Sequence, residues 1–212
     1  VNTSLTSIDG LDHIWHESKE GLNLCGNFID GAGWAAIIAG VCYNKDSKIN
    51  NISAQQNGIC AHDAEIIGEA LLTGINTSLT QLDLSCNWLC GLNRTGDGTY
   101  DAKGIKAISE ALTMNTSLKT LNLSDNNLCG VWKQCEGEGN YSKWGTHMAE
   151  GVFALASSLH VNTSLTSIDL SGNEPDITAG KSLADALRVN ASLVEVKIDN
   201  FALPVKQLKG TD

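Results

Sequence analysis

Leu118-Lys119-Thr120-Leu121-Asn122-Leu123-Ser124-Asp125-Asn126 carries leucine at its first, fourth and sixth places and asparagine at its ninth. The pattern L-x-x-L-x-L-x-x-N returns at Leu79, Leu82, Leu84 and Asn87, and again at Leu165, Ile168, Leu170 and Asn173. Ile49, Ile52, Ala54 and Asn57 make a fourth copy. Lys19, Leu22, Leu24 and Asn27 make a fifth. Leu193, Val196 and Ile198 make a sixth, with Phe201 where the asparagine falls elsewhere. Upstream of the pattern the phrase Asn-Thr-Ser-Leu starts at Asn2, Asn76, Asn115 and Asn162, and Asn-Ala-Ser-Leu starts at Asn190. Self-similarity at such a period marks stacked repeats, each too small to bury its own apolar residues.

Each unit reads as a short strand, a turn, a helix and a return loop. Alternation along the strand sends Leu82 and Leu84 inward and leaves Gln81, Asp83 and Ser85 outward. After the asparagine, Gly33 to Val41, Asp63 to Leu71, Gly104 to Leu112, Gly151 to Leu159 and Ala179 to Leu187 align with one another. Ile105, Ile108 and Leu112 show the i, i+3, i+7 spacing of an amphipathic helix. The asparagine amide is suited to bond backbone groups where the strand ends. The expected fold class is α/β, a curved solenoid of about six units with parallel strands on the concave face and helices on the convex face.

The 28-residue step from Leu165 to Leu193, with L-x-x-L-x-L-x-x-N and a full helix behind it, resembles leucine-rich repeats of the ribonuclease-inhibitor-like type. Repeats of this kind also occur in nucleotide-binding leucine-rich-repeat receptors. The resemblance runs over nearly the whole chain and implies a rigid arc used for binding. It leaves the ligand open, because a fold does not fix a function.

Departures from the period are where individuality lies. First positions at 19, 49, 79, 118, 165 and 193 give steps of 30, 30, 39, 47 and 28 residues. Residues 1–212 thus read as one repeat domain, a fragment of a longer protein, with rim insertions at about 90–102 and 129–147 and an irregular repeat at 1–20. Loops on a rigid scaffold are where binding residues concentrate, and Trp and Tyr are common anchors. The partner-binding candidates are therefore Trp132, Tyr141 and Trp144 in the second insertion, with Trp88 and Tyr100 beside it. The alternative is that these rings fold back to order the insertions themselves. On the concave face Asn23, Ser53, Asp83, Asn122, Asp169 and Lys197 form the middle column, of which Asp83, Asn122 and Asp169 join the candidates. Gln81, Ser85, Thr120, Ser124, Ser167, Ser171 and Glu195 flank it as outward residues. This face supplies no aromatic or Arg anchor.

Composition narrows the function classes. A formal net charge of −10 and the lack of a basic run exclude a phosphate-tracking surface, so no nucleic acid is expected. No apolar run is long enough to span a membrane. Seven cysteines include Cys60, Cys90 and Cys129, each three residues after a repeat asparagine. They read as buried reduced thiols of a reducing, cytoplasmic compartment. Cys25, Cys42, Cys86 and Cys135 show no C-x-x-C spacing. Nine Asn-x-Ser/Thr sequons, at Asn2, Asn51, Asn76, Asn93, Asn115, Asn122, Asn140, Asn162 and Asn190, keep a secreted, glycosylated recognition protein as an alternative. Five of them fall at the helix-to-strand turn, where Asn has a structural use. His13-x-x-His16-Glu17 lacks a third metal ligand, and Asp97 to Asp101 lacks the regular oxygen ligands of a calcium loop. No nucleophile–base pair or phosphate-cradling loop is present, so no enzyme, metal or cofactor is expected. The expectation is a scaffold that presents its concave sheet and two rim insertions to a protein partner of unnamed identity, with membership of a larger assembly as one form of that role. A regulator that positions the groups of a GTPase or other enzyme is the alternative, implied by related scaffolds that resemble the Ran-activating protein.

Overall fold

The structure, a computed structural model, describes residues 21–23, 30–137, 140–199 and 201–203, with backbone alone at 21–23, 132–137, 140–144 and 201–203. The irregular repeat at 1–20, with His13 and His16, lies outside the described residues, as do Cys25, Asn27 and the residues after Leu203. Elements run in the order β1 Gly21–Asn23, α1 Gly31–Tyr43, β2 Asn51–Ser53, α2 Ala61–Leu72, β3 Gln81–Asp83, α3 Lys103–Met114 and β4 Thr120–Asn122. Then come β5 Val131–Gly137, β6 Asn140–Gly145, α4 Glu150–Val161, β7 Ser167–Asp169, α5 Ile177–Val189, β8 Glu195–Ile198 and β9 Phe201–Leu203.

One sheet takes the order β1-β2-β3-β4-β7-β8-β9, and its first six strands are parallel. The register equates the units residue for residue: Leu22, Ile52, Leu82, Leu121, Ile168 and Val196 form one row across the sheet. Ile52, Leu82, Leu121, Ile168 and Val196 are buried in a core that continues through Ile67, Ile108, Leu155 and Leu183 on the helices. Burying each such side chain contributes about 1.5–3 kcal/mol. Strands repeat at about 4.8 Å and packed helices at about 8–10 Å, so the array bends with its sheet on the inside. This is an α/β leucine-rich-repeat solenoid.

Three of the helix starts use local carboxylates. Asp30 and Asp176 accept from the backbone N–H of Gly33 and Ala179, and Asp63 accepts from the N–H of Cys60. Each helix runs a residue or two beyond its expected bounds, because the apolar spacing marks only the buried stretch. Close helix packing rests on glycine: a Cβ on Gly68 in α2 would lie 2.5 Å from the Ala107 carbonyl carbon in α3.

Two expectations need correction. Ser85 and Ser171, read as outward, are buried. The strands are only three residues long, so alternation stops at Asp83 and Asp169, and the chain turns inward behind them. The second insertion, read as a loop, is an antiparallel hairpin of β5 and β6 that forms its own two-stranded sheet. At the C-terminal end β9 pairs antiparallel with β8, Phe201 opposite Ile198. The sheet there is finished by a reversed strand.

Candidate functional site

Repeat asparagines build the floor of the rim that carries both insertions. Asn87, Asn126 and Asn173 are buried. Asn87 Nδ2 donates to the carbonyls of Leu84 and Ser85 in its own unit and of Ala54 in the preceding one. Its Oδ1 accepts from the N–H groups of Asn57 and Ile59. Asn173 does the same two steps on, donating to Leu123 and Leu170 and accepting from Asn126 and Leu128. The residue before each asparagine, Gln56, Cys86, Asp125 or Gly172, holds a positive φ that turns the chain out of the strand.

A second set of asparagines closes the opposite edge. Asn76, Asn115, Asn162 and Asn190 are buried, and the Oδ1 of each accepts from the two backbone N–H groups that open the next strand segment. Nδ2 of Asn76, Asn162 and Asn190 donates to carbonyls of the preceding unit. These are four of the sequons, and a glycan on any would displace that packing.

The first insertion is a tight turn tied by its own side chains. Asn93 Oδ1 accepts from the N–H groups of Thr95 and Asp97, and the Asp97 carboxylate accepts from Thr95 Oγ1 and Asn93 Nδ2. Those hydrogen bonds hold the Asp97 carboxyl below its ordinary range. Tyr100, half-buried, joins this insertion to the base of the second: its hydroxyl lies 3.0 Å from the Leu128 carbonyl oxygen and 3.1 Å from that of Met148. Burial pushes the Tyr100 hydroxyl well above its usual pKa and raises the neighbouring Cys90 and Cys129 thiols to about 12. Cys42, Cys60, Cys90 and Cys129 are free thiols. Cys60 is only half-buried, at the start of α2, where the sequence suggested full burial.

Trp88 follows Asn87 on this rim, 40% exposed, with its ring 3.6 Å from the place a Cβ on Gly58 would occupy. Beyond Tyr100 rises the hairpin. Its register sets Trp132 opposite Trp144 and Cys135 opposite Tyr141, and the side chains there lie outside the described residues.

On the strand face, the register brings Asp83, Asn122 and Asp169 into one row with Asn23, Ser53 and Lys197. Each of the three bends one oxygen back to the N–H two residues on, of Ser85, Ser124 and Ser171. Sequence reasoning missed this strand-end use. Lys197 stands 3.5 Å from Asp169 and 3.7 Å from Glu195, so the row ends in a small charge cluster. Among the described residues there is no group of side chains able to hold a metal.

The Leucine Rich Repeat family model matches residues 117–135. No curated protein matches the sequence. Among solved structures, that of leiomodin-1 actin-binding site 2 is similar with a TM-score of 0.59 at 18% identity, covering 82% of this chain and 87% of that one. The tropomodulin C-terminal domain of Caenorhabditis elegans is similar with a TM-score of 0.54 at 13% identity, covering 83% of this chain and 89% of that one. Matched repeat, sheet and helices define a leucine-rich-repeat protein.

Proposed function

We propose that the whole chain, as one repeat domain, is a scaffold that binds a partner protein through the insertion rim and the adjoining strand face, without chemistry of its own. One observation carries the reading. Tyr100 fastens the first insertion to the base of the hairpin, which supports reading Trp88, the 93–97 turn and the hairpin that carries Trp132, Tyr141 and Trp144 as one platform. A solenoid does not need that platform in order to stack. Trp-bearing surfaces of this sort supply interface anchors, and Asp83, Asn122 and Asp169 add polar contacts on the strand face. Burial of four sequon asparagines supports a cytoplasmic protein over a secreted, glycosylated one. No helix among the described residues is long and apolar enough to cross a membrane.

The leiomodin-1 structure is titled an actin-binding site, which makes purified actin the first partner to test. Co-sedimentation with actin and affinity capture from native lysate are each run with the parent chain and with Trp132→Ala/Trp144→Ala. Capture of the same partner, undiminished, by the double variant defeats the platform reading.

A further inference from the structure

The edge opposite the insertions carries a feature that stacking does not require. The residue just before Asn44, Asn76, Asn115, Asn162 and Asn190 is apolar: Tyr43, Ile75, Met114, Val161 and Val189. These five are 53%, 46%, 69%, 54% and 54% exposed. Single exposed apolar residues are ordinary, but one at the end of every helix segment along the same edge makes a patch. The row has a notch. α2 stops at Leu72 while the other helices continue to the apolar residue itself, and Gly74 turns the chain with φ 62. This leaves a shallow cleft beside Ile75, lined by Cys42, Ala70, Leu71, Leu79 and Asn115.

Charge on this edge runs against the rest of the molecule. Residues 43–50, 72–80, 113–119, 160–166 and 188–194 hold Lys45, Lys48, Lys119 and Arg188 against Asp46 alone, a formal charge of +3 on a chain of −10. Asp30, Asp97, Asp101, Asp125, Glu174 and Asp176 all lie toward the opposite rim. Lys45 and Arg188 pair with Asp46 and Asp185, whereas Lys48 and Lys119 enter no ion pair among the described residues.

We infer that this edge is a second interaction surface, which takes an acidic protein segment laid along the ridge with its apolar side chains against the exposed apolar row. Four helix-to-helix steps of about 8–10 Å make a ridge of roughly 32–40 Å, the reach of about 10–12 extended residues. Opposite charge steers such a segment to this edge and away from the acidic rim.

The probe is a phage-displayed random peptide library of about that length, panned on the immobilised chain. The enriched peptide is then labelled with fluorescein and titrated by polarisation. The expected peptides interleave Asp or Glu with large apolar residues. Both Tyr43→Ser/Met114→Ser and Lys48→Glu/Lys119→Glu weaken binding at least tenfold, and raised salt weakens it for the parent. Every substituted side chain is exposed, so the variants fold, as their thermal melts verify. Trp88→Ser and Trp132→Ala/Trp144→Ala, on the other rim, leave binding unchanged, which separates this surface from the platform. Peptides without acidic residues, or equal binding by the ridge variants, overturn the proposal. So does ridge-dependent sedimentation with vesicles of phosphatidylcholine and phosphatidylserine when no peptide binds, because the occupant is then a lipid surface.

Discussion

Replacing Asn126 by Ala tests the account of how the units are joined. Asn126 is fully buried. Its Nδ2 donates to the carbonyls of Leu84 at 2.9 Å, Leu123 at 3.1 Å and Ser124 at 3.0 Å, and its Oδ1 lies 3.5 Å from the Leu89 N–H. Truncation removes both amide protons, so each carbonyl drops from two donors to one, keeping Asn87 Nδ2 on Leu84, Asn173 Nδ2 on Leu123 and the Cys86 N–H on Ser124, while the Leu89 N–H loses its acceptor. Each lost bond costs about 0.5–1.5 kcal/mol net, so the two donors account for about 1–3 kcal/mol, and the unmet Leu89 N–H adds to that. Asn57 supplies the comparison. It is half-buried, its Nδ2 donates only to Gln55 at 2.9 Å, and its Oδ1 has no partner among the described residues. Asn57→Ala should therefore cost about 1 kcal/mol. Urea unfolding followed by circular dichroism measures both. Equal midpoints for the two variants would refute the claim that this side chain clasps neighbouring units.

Other outcomes follow from the same structure. Gly68→Ala should destabilise by about 1–3 kcal/mol, because its Cβ meets the backbone of α3. Gly40→Ala, also helical but with open space around it, should stabilise by about 0.5–1 kcal/mol, and paired thermal melts decide. Cys42, Cys90 and Cys129 have thiols raised from 9.0 to about 12 by burial. Below pH 9 both folded and unfolded chains keep these protons, and stability is intact. Between pH 9 and 12 only the unfolded chain ionises, so stability falls, by up to about 1.4 kcal/mol per pH unit for each thiol. A flat unfolding midpoint across that window would contradict the burial. Peptide mapping after iodoacetamide at pH 8 should find Cys86 modified and those three protected until urea is added. Mass analysis of folded protein from its native source should find no glycan on Asn76, Asn162 or Asn190, and occupancy there would argue against both the hydrogen bonding and the cytoplasmic assignment.

The parts that are legible in the sequence are those that every unit must satisfy alike. The row from Leu22 to Val196 and the floor of Asn87, Asn126 and Asn173 are dictated by spacing, since each position meets its own counterpart in the next unit. The rest depends on single events. Val131 to Gly145 offers no clean alternation, and Lys133 opposite Lys143 gives no pairing cue, so a hairpin does not announce itself. Tyr100 meets carbonyls 28 and 48 residues away, a contact that no local pattern encodes. Asp83 and Asp169 look like free surface carboxylates until the three-residue strand length shows why each turns back on its own chain.

Asn87 completes the turn of the unit before it as well as its own, and so do Asn126 and Asn173. The folded module is therefore out of phase with the written one: its last fastening is supplied from the sequence that follows. A terminus placed between two written repeats strips the upstream module of its fastener, and an excised or grafted piece needs the next nine-residue strand phrase to close. Duplication in frame is free of that defect, because every copy brings the fastener that its predecessor lacks.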